Sequence, residues 1–73
     1  MLGLKGVVRL VATHFDSQPG VTVWPQTDNS VVISFGPVAG SVRVLSNGEV
    51  TRVRSTTAWH LVSEVELVVD EYI

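Results

Sequence analysis

Cysteine is absent from the chain, which removes disulfides and thiolate metal sites as means of stabilising it. A cysteine-free chain suits a reducing compartment, so a cytoplasmic location is expected. Charge is also scarce, at 16% of residues against about 25% in an ordinary globular domain. Valine, serine and threonine fill those places and favour strands. So little charge argues against a disordered chain. No apolar run approaches the ~20 residues of a membrane span, so no membrane partner is expected. The N-terminal "MLGLKGVVRLVATHFD" is the only candidate targeting stretch. Lys5 and Arg9 interrupt it, and it reads as part of the folded protein.

With 73 residues the chain forms one domain, residues 1–73. A domain this small buries only roughly 60% of the surface its unfolded chain exposes. Disulfides cannot reinforce so small a core, which leaves association with itself or with a host complex as the expected support. The net charge of −2 argues against a general nucleic-acid binder, although a local patch can override a total.

Hydrophobic spacing divides the chain into six elements. Leu4, Val7, Val8, Val11 and Phe15 recur at helical intervals with Ala12 beside them, while Lys5, Arg9, Thr13 and Asp16 take the opposite side. A strand reading of residues 2–16 would alternate Leu2, Leu4, Val8 and Leu10, but it leaves Val7, Val11 and Phe15 outside. "DSQPG" ends the helix, because Gln18 precedes Pro19 and Gly20 turns the chain. Strands are expected at "GVTVW", "SVVISF", "SVRVL" and the segment after "SNGE". Near the C-terminus Ala58, Leu61, Val62, Val65, Val68, Val69, Tyr72 and Ile73 fall within an arc of about 140° on a helix. Trp59 and Leu67 lie off that stripe. Ser55, Thr56 or Thr57 is placed to cap the helix start. The expected fold class is α+β: a helix, a four-stranded antiparallel meander, and a second helix, both helices on one sheet face.

Asn47-Gly48 in "SNGE" suits a two-residue type I′ hairpin. That loop sets Arg43 opposite Arg52, Val42 opposite Val53 and Ser41 opposite Arg54. Alternation then gives a face of Val42, Val44, Thr51 and Val53, continued by Val21, Val23, Val31, Ile33 and Phe35. The other face collects Arg43, Arg52 and Arg54, with Leu45 and Val50 near the turn, and shares Thr22, Trp24, Val32 and Ser34.

Catalytic patterns are weak. His14 and His60 are the only histidines, and neither has a companion at metal-ligand spacing. His60, Ser63 and Asp70 make a triad only on paper, since Asp70 lies two helical turns beyond the other two and no oxyanion donor is evident. "GPVAG" lacks the lysine and following helix of a phosphate loop. A non-enzymatic protein needing no cofactor or metal is therefore expected.

The arginine cluster is the best binding signal. A solvated outer sheet face commonly carries such charge, but arginine also suits carboxylate or phosphate. Residues 1–54 hold five cations and three acids, whereas residues 55–73 hold no cation and four acids. The expected function is a protein–protein interaction module, either self-associating or part of a larger assembly. Its contact residues would be Trp24, Arg43, Leu45, Val50, Arg52 and Arg54 on the sheet, and Glu64, Asp70 and Glu71 on the closing helix. A small inhibitor that docks on an enzyme is a variant of the same reading. The alternative is a weak nucleic-acid binder using Arg43, Arg52, Arg54 and Trp24. The element order is similar to that of double-stranded-RNA-binding modules, without their lysine-rich start to the closing helix.

Overall fold

The computed structural model describes residues 3–54 and 57–73. Helix α1 spans Gly6–Asp16 and helix α2 spans Trp59–Tyr72; between them lie β1 (Thr22–Pro25), β2 (Val31–Ser34), β3 (Ser41–Val44) and β4 (Val50–Arg52). The strands form one antiparallel sheet in the order β1-β2-β3-β4. Pro25 ends β1, an edge strand, where a missing N–H is tolerated. Helix α1 lies over β1 and β2, α2 lies over β3 and β4, and the helices touch each other. This is the α+β arrangement the spacing predicts.

The stripe of α1 buries Val8, Val11, Ala12 and Phe15, with Leu4 buried just ahead of them. The helical reading therefore holds from Gly6 onward, and Leu2 lies outside the described residues. Phe15 meets Phe35 edge-on at 5.8 Å between centroids. The helix start is secured through the backbone: the Lys5 N–H donates to Asn29 Oδ1 at 2.8 Å. Asn29 itself sits at φ 63, a left-handed conformation that asparagine tolerates better than most residues. The β1–β2 turn is thus fastened to the base of α1.

Helix α2 buries Leu61, Val62, Val65, Val68 and Val69. Trp59 and Leu67 stay on its outside, as their spacing predicts. Tyr72 and Ile73 belong to the stripe by spacing but remain exposed at the helix end. Of the expected caps, Ser55 and Thr56 lie outside the described residues. Ala58 occupies the cap position without a side-chain bond. Thr57 is buried and spends its hydroxyl differently, donating to the Ser41 carbonyl at 3.2 Å. This contact needs Gly40, where a Cβ would fall 2.5 Å from the Thr57 hydroxyl oxygen.

The β3–β4 hairpin departs from expectation by one residue. Arg43 pairs with Thr51, Val42 with Arg52 and Val44 with Val50. The loop is longer than Asn47-Gly48 alone. The Gly48 N–H donates to the Leu45 carbonyl and the Leu45 N–H to the Glu49 carbonyl, both at 2.8 Å. Gly48 lies at φ 88, and Asn47 Oδ1 accepts the Glu49 N–H at 2.9 Å. Ser46, Asn47 and Gly48 therefore form a three-residue loop, a turn followed by a left-handed glycine bulge.

A slip of one residue exchanges the two faces of a strand. Val50 and Arg52 consequently point to the helix side, whereas Thr51 and Val53 belong to the open side, opposite to expectation. The Val53 N–H donates to the Ser41 carbonyl at 3.0 Å and carries that register onward. Packing explains the choice. Val50 joins the core from the helix side. Arg52, on the edge strand, avoids burial by laying its guanidinium 3.7 Å over the ring of Trp59.

Candidate functional site: the open sheet face

The pleat sends alternate residues of each strand away from the helices. Pairing aligns them in two rows. One runs Trp24–Val32–Arg43–Thr51 across all four strands. The other runs Thr22–Ser34–Ser41 and reaches Val53 through its bond to Ser41. Among the described residues no helix packs on these rows, and the β1–β2 turn comes against them only beside Arg43. Trp24 is 57% exposed and Val53 45% exposed. Leu45, half-buried, continues the alternation of β3 on the same side. Val53 was missed as a surface residue because its position depends on the hairpin register.

Arg43 stands in the middle of the first row. It is half-buried, and its Nε is enclosed without a hydrogen-bond acceptor. Shallow hollows flank it. One, of about 140 Å³, is lined by Gln26, Thr27, Asp28 and Ser30. The other, of about 160 Å³, is lined by Thr51, Arg52 and Val53. The Asp28 carboxyl is held below its ordinary range, chiefly because the Ser30 hydroxyl donates to it. The Ser30 N–H adds a bond at 3.1 Å to the same oxygen, and the Arg43 charge contributes in the same direction.

The three expected arginines do not share one face. Arg43 is on the open side. Arg54 lies beyond the end of β4, exposed, and lines a hollow of about 180 Å³ with Ser34, Ser41, Gly36, Pro37 and Gly40. Arg52 is on the helix side, against Trp59. The Arg43–Arg52 like-charge pair is replaced by Arg43 opposite Thr51.

The acidic residues sit on the other side of the molecule, on α2. Glu64, Glu66, Asp70 and Glu71 are all exposed. Leu67, 67% exposed, has Glu64, Asp70 and Glu71 as its neighbours three and four positions away along the helix surface. Its off-stripe position was legible in the sequence, but its meaning as an apolar knob ringed by carboxylates was not drawn from it. Glu66 and Asp70 also line a hollow of about 350 Å³ against Gly48 and Glu49 of the hairpin loop.

The histidines are not gathered with other catalytic groups. The His14 ring meets Phe15 at 5.1 Å and Tyr72 at 6.5 Å, both edge-on, and His60 is exposed on α2. Among the described residues no group of three or more His, Asp or Glu is placed to hold a metal ion. Nor is any described helix long and apolar enough to cross a membrane. Compared with known proteins, the chain matches no family, no curated protein and no solved structure.

Proposed function

We propose that this is a small non-enzymatic interaction module that docks another protein through the open face of its sheet. The observation that carries the reading is an exposed tryptophan on an uncovered sheet, with Val32 and Arg43 beside it in one cross-strand row. Tryptophan and arginine are the favoured anchors of protein interfaces, and a contiguous apolar patch on a small protein marks a contact surface more often than idle surface. Arg43 is well suited to the task, because the half-buried side chain already has its Nε enclosed and without an acceptor, and arginine pairs readily with carboxylate. A small core also gains stability from any partner that binds only the folded state. The absence of cysteine fits a cytoplasmic setting for such a module.

The nucleic-acid alternative is less favoured. It needs Arg43, Arg52 and Arg54 together beside Trp24, and Arg52 is turned to the helix side. Two cations give few phosphate contacts, and such binding is weak and easily lost in salt.

A photo-crosslinking amino acid placed at Val53 and, as a control, at exposed Thr13 on α1 tests the reading in the source cell. Protein adducts from position 53 and none from position 13 are expected. Nucleic-acid adducts from position 53 would instead favour the alternative. No adduct from position 53 would refute the docking face.

A further inference from the structure

We infer that the occupant of the open sheet face is the outer ridge of α2 from a second copy of this chain. The inference rests on the docking reading above and names its partner. Charge and shape both point to it. The open side carries an apolar pair, Trp24 and Val32, with Arg43 next in the same row, and Val53 at the β4 edge with Arg54 beyond it near Ser34 and Ser41. The outward ridge of α2 carries the matching pattern in reverse, with Leu67 at its centre and Glu64, Asp70 and Glu71 around it. No lysine or arginine occurs anywhere from residue 55 to residue 73, so the ridge presents one sign of charge.

Dimensions agree. A helix of 14 residues is about 21 Å long, enough to cross four strands spanning about 14 Å. Leu67 would rest on the Trp24–Val32 strip while its neighbouring carboxylates reach the guanidiniums. Arginine and carboxylate pair well through charge-assisted bonds. The inner sheet face is already covered by α1 and α2; the outer face would be covered by the α2 of a second copy.

The geometry also fixes the kind of assembly. Helix α2 and the open face lie on opposite sides of the same molecule, so two rigid copies cannot satisfy both surfaces at once. The contact is head-to-tail, and such contacts give rings or open chains larger than a dimer. Wild-type protein at high micromolar concentration should therefore exceed the dimer mass in sedimentation equilibrium at about 0.01 M salt. It should dissociate at about 1 M salt, where screening shortens to roughly 3 Å.

Charge reversal makes the test specific. One variant carries Arg43→Glu with Arg54→Glu; the other carries Glu64→Lys with Glu71→Lys. Each should associate at least about tenfold more weakly than wild type, because each now sets like charges against each other. Mixing the two should restore association, since the acidic face of the first then meets the basic ridge of the second, and the basic face of the second meets the acidic ridge of the first. Circular dichroism checks the fold, and Arg54→Glu alone, at an exposed site, gives a second reading should the Arg43 change unfold the chain. A monomeric or strictly dimeric wild type would overturn the inference. So would variants that associate as wild type does, or a mixture that stays dissociated. Crosslinks from position 53 to a different protein, alongside a monomeric wild type, would overturn self-pairing while leaving the docking face intact.

Discussion

On its helix side the sheet presents Val23, Val31, Ile33, Val42 and Val44, all buried. On its open side the same strands present Trp24, Val32, Ser34, Arg43 and Thr51. The first set is nearly uniform, because side chains packed between sheet and helices need only fill space in good rotamers. The second is mixed, with one large aromatic, one anchored cation and small hydroxyl residues. Tryptophan and arginine are enriched at contact surfaces, whereas the inner set is the aliphatic filling of a core. The difference between the faces is what separates the stability of this protein from its proposed contact function.

Substitutions can break or sharpen that contrast. The largest effect is expected from Phe15→Ala, which empties the centre of the helix layer beneath the inner face. It should cost roughly 3–5 kcal/mol, comparable with the whole stability of so small a domain. Urea denaturation should then show little or no cooperative transition.

The β4 valines test the contrast more finely. Val50→Ala, on the helix side, should destabilise by about 1 kcal/mol for its partly buried methyl groups. Val53→Ala, on the open side, should change stability by no more than about 0.5 kcal/mol. The reverse order of urea midpoints would mean that the hairpin follows the two-residue register after all.

The smallest effect belongs to Asp28, at the rim of the open face. Its carboxyl pKa lies below the ordinary 3.8, first through the Ser30 hydroxyl. The ionised group therefore adds stability above the ordinary value, and that contribution is lost as pH falls through the depressed one. Asp28→Asn should be slightly less stable than wild type near neutrality, and the gap should close on acidification below pH 3.8. Thermal denaturation across that range measures it, and a gap that widens would contradict the assignment.

Most of the architecture was legible because it rests on long periodic stripes. Eleven residues of α1 and fourteen of α2 give the helical period enough turns to stand out. Strands β2 and β3 announced their faces through Val31/Ile33 and Val42/Val44. Strand β4 could not, since "VTRVR" is equally reasonable with Val50 or Val53 inward. The loop residues were no better guide. Ser46-Asn47-Gly48 serves both a two-residue loop and a three-residue loop with its bulge at the glycine. The structure takes the second, and the grouping of Arg43 with Arg52 fails for that reason alone. Nothing within β4 foretold that Arg52 could face the helix side and still remain near solvent, because that depends on how the chain turns to bring Trp59, at the start of the next element, against it. The buried role of Thr57 was hidden in the same way, since its acceptor on Ser41 is 16 positions earlier.

The sheet order, β1-β2-β3-β4, has a consequence for how the chain reaches this state. Every strand pairs with its neighbour in sequence, so all three hairpins close short loops at small entropic cost. The meeting of α1 with α2 is different, because it must bring together segments separated by the entire meander. The hairpin contacts are thus local in sequence and the helix–helix contact is not. The Lys5–Asn29 and Thr57–Ser41 bonds tie a residue just ahead of each helix to the meander, so each helix has its own tether beside the shared apolar packing.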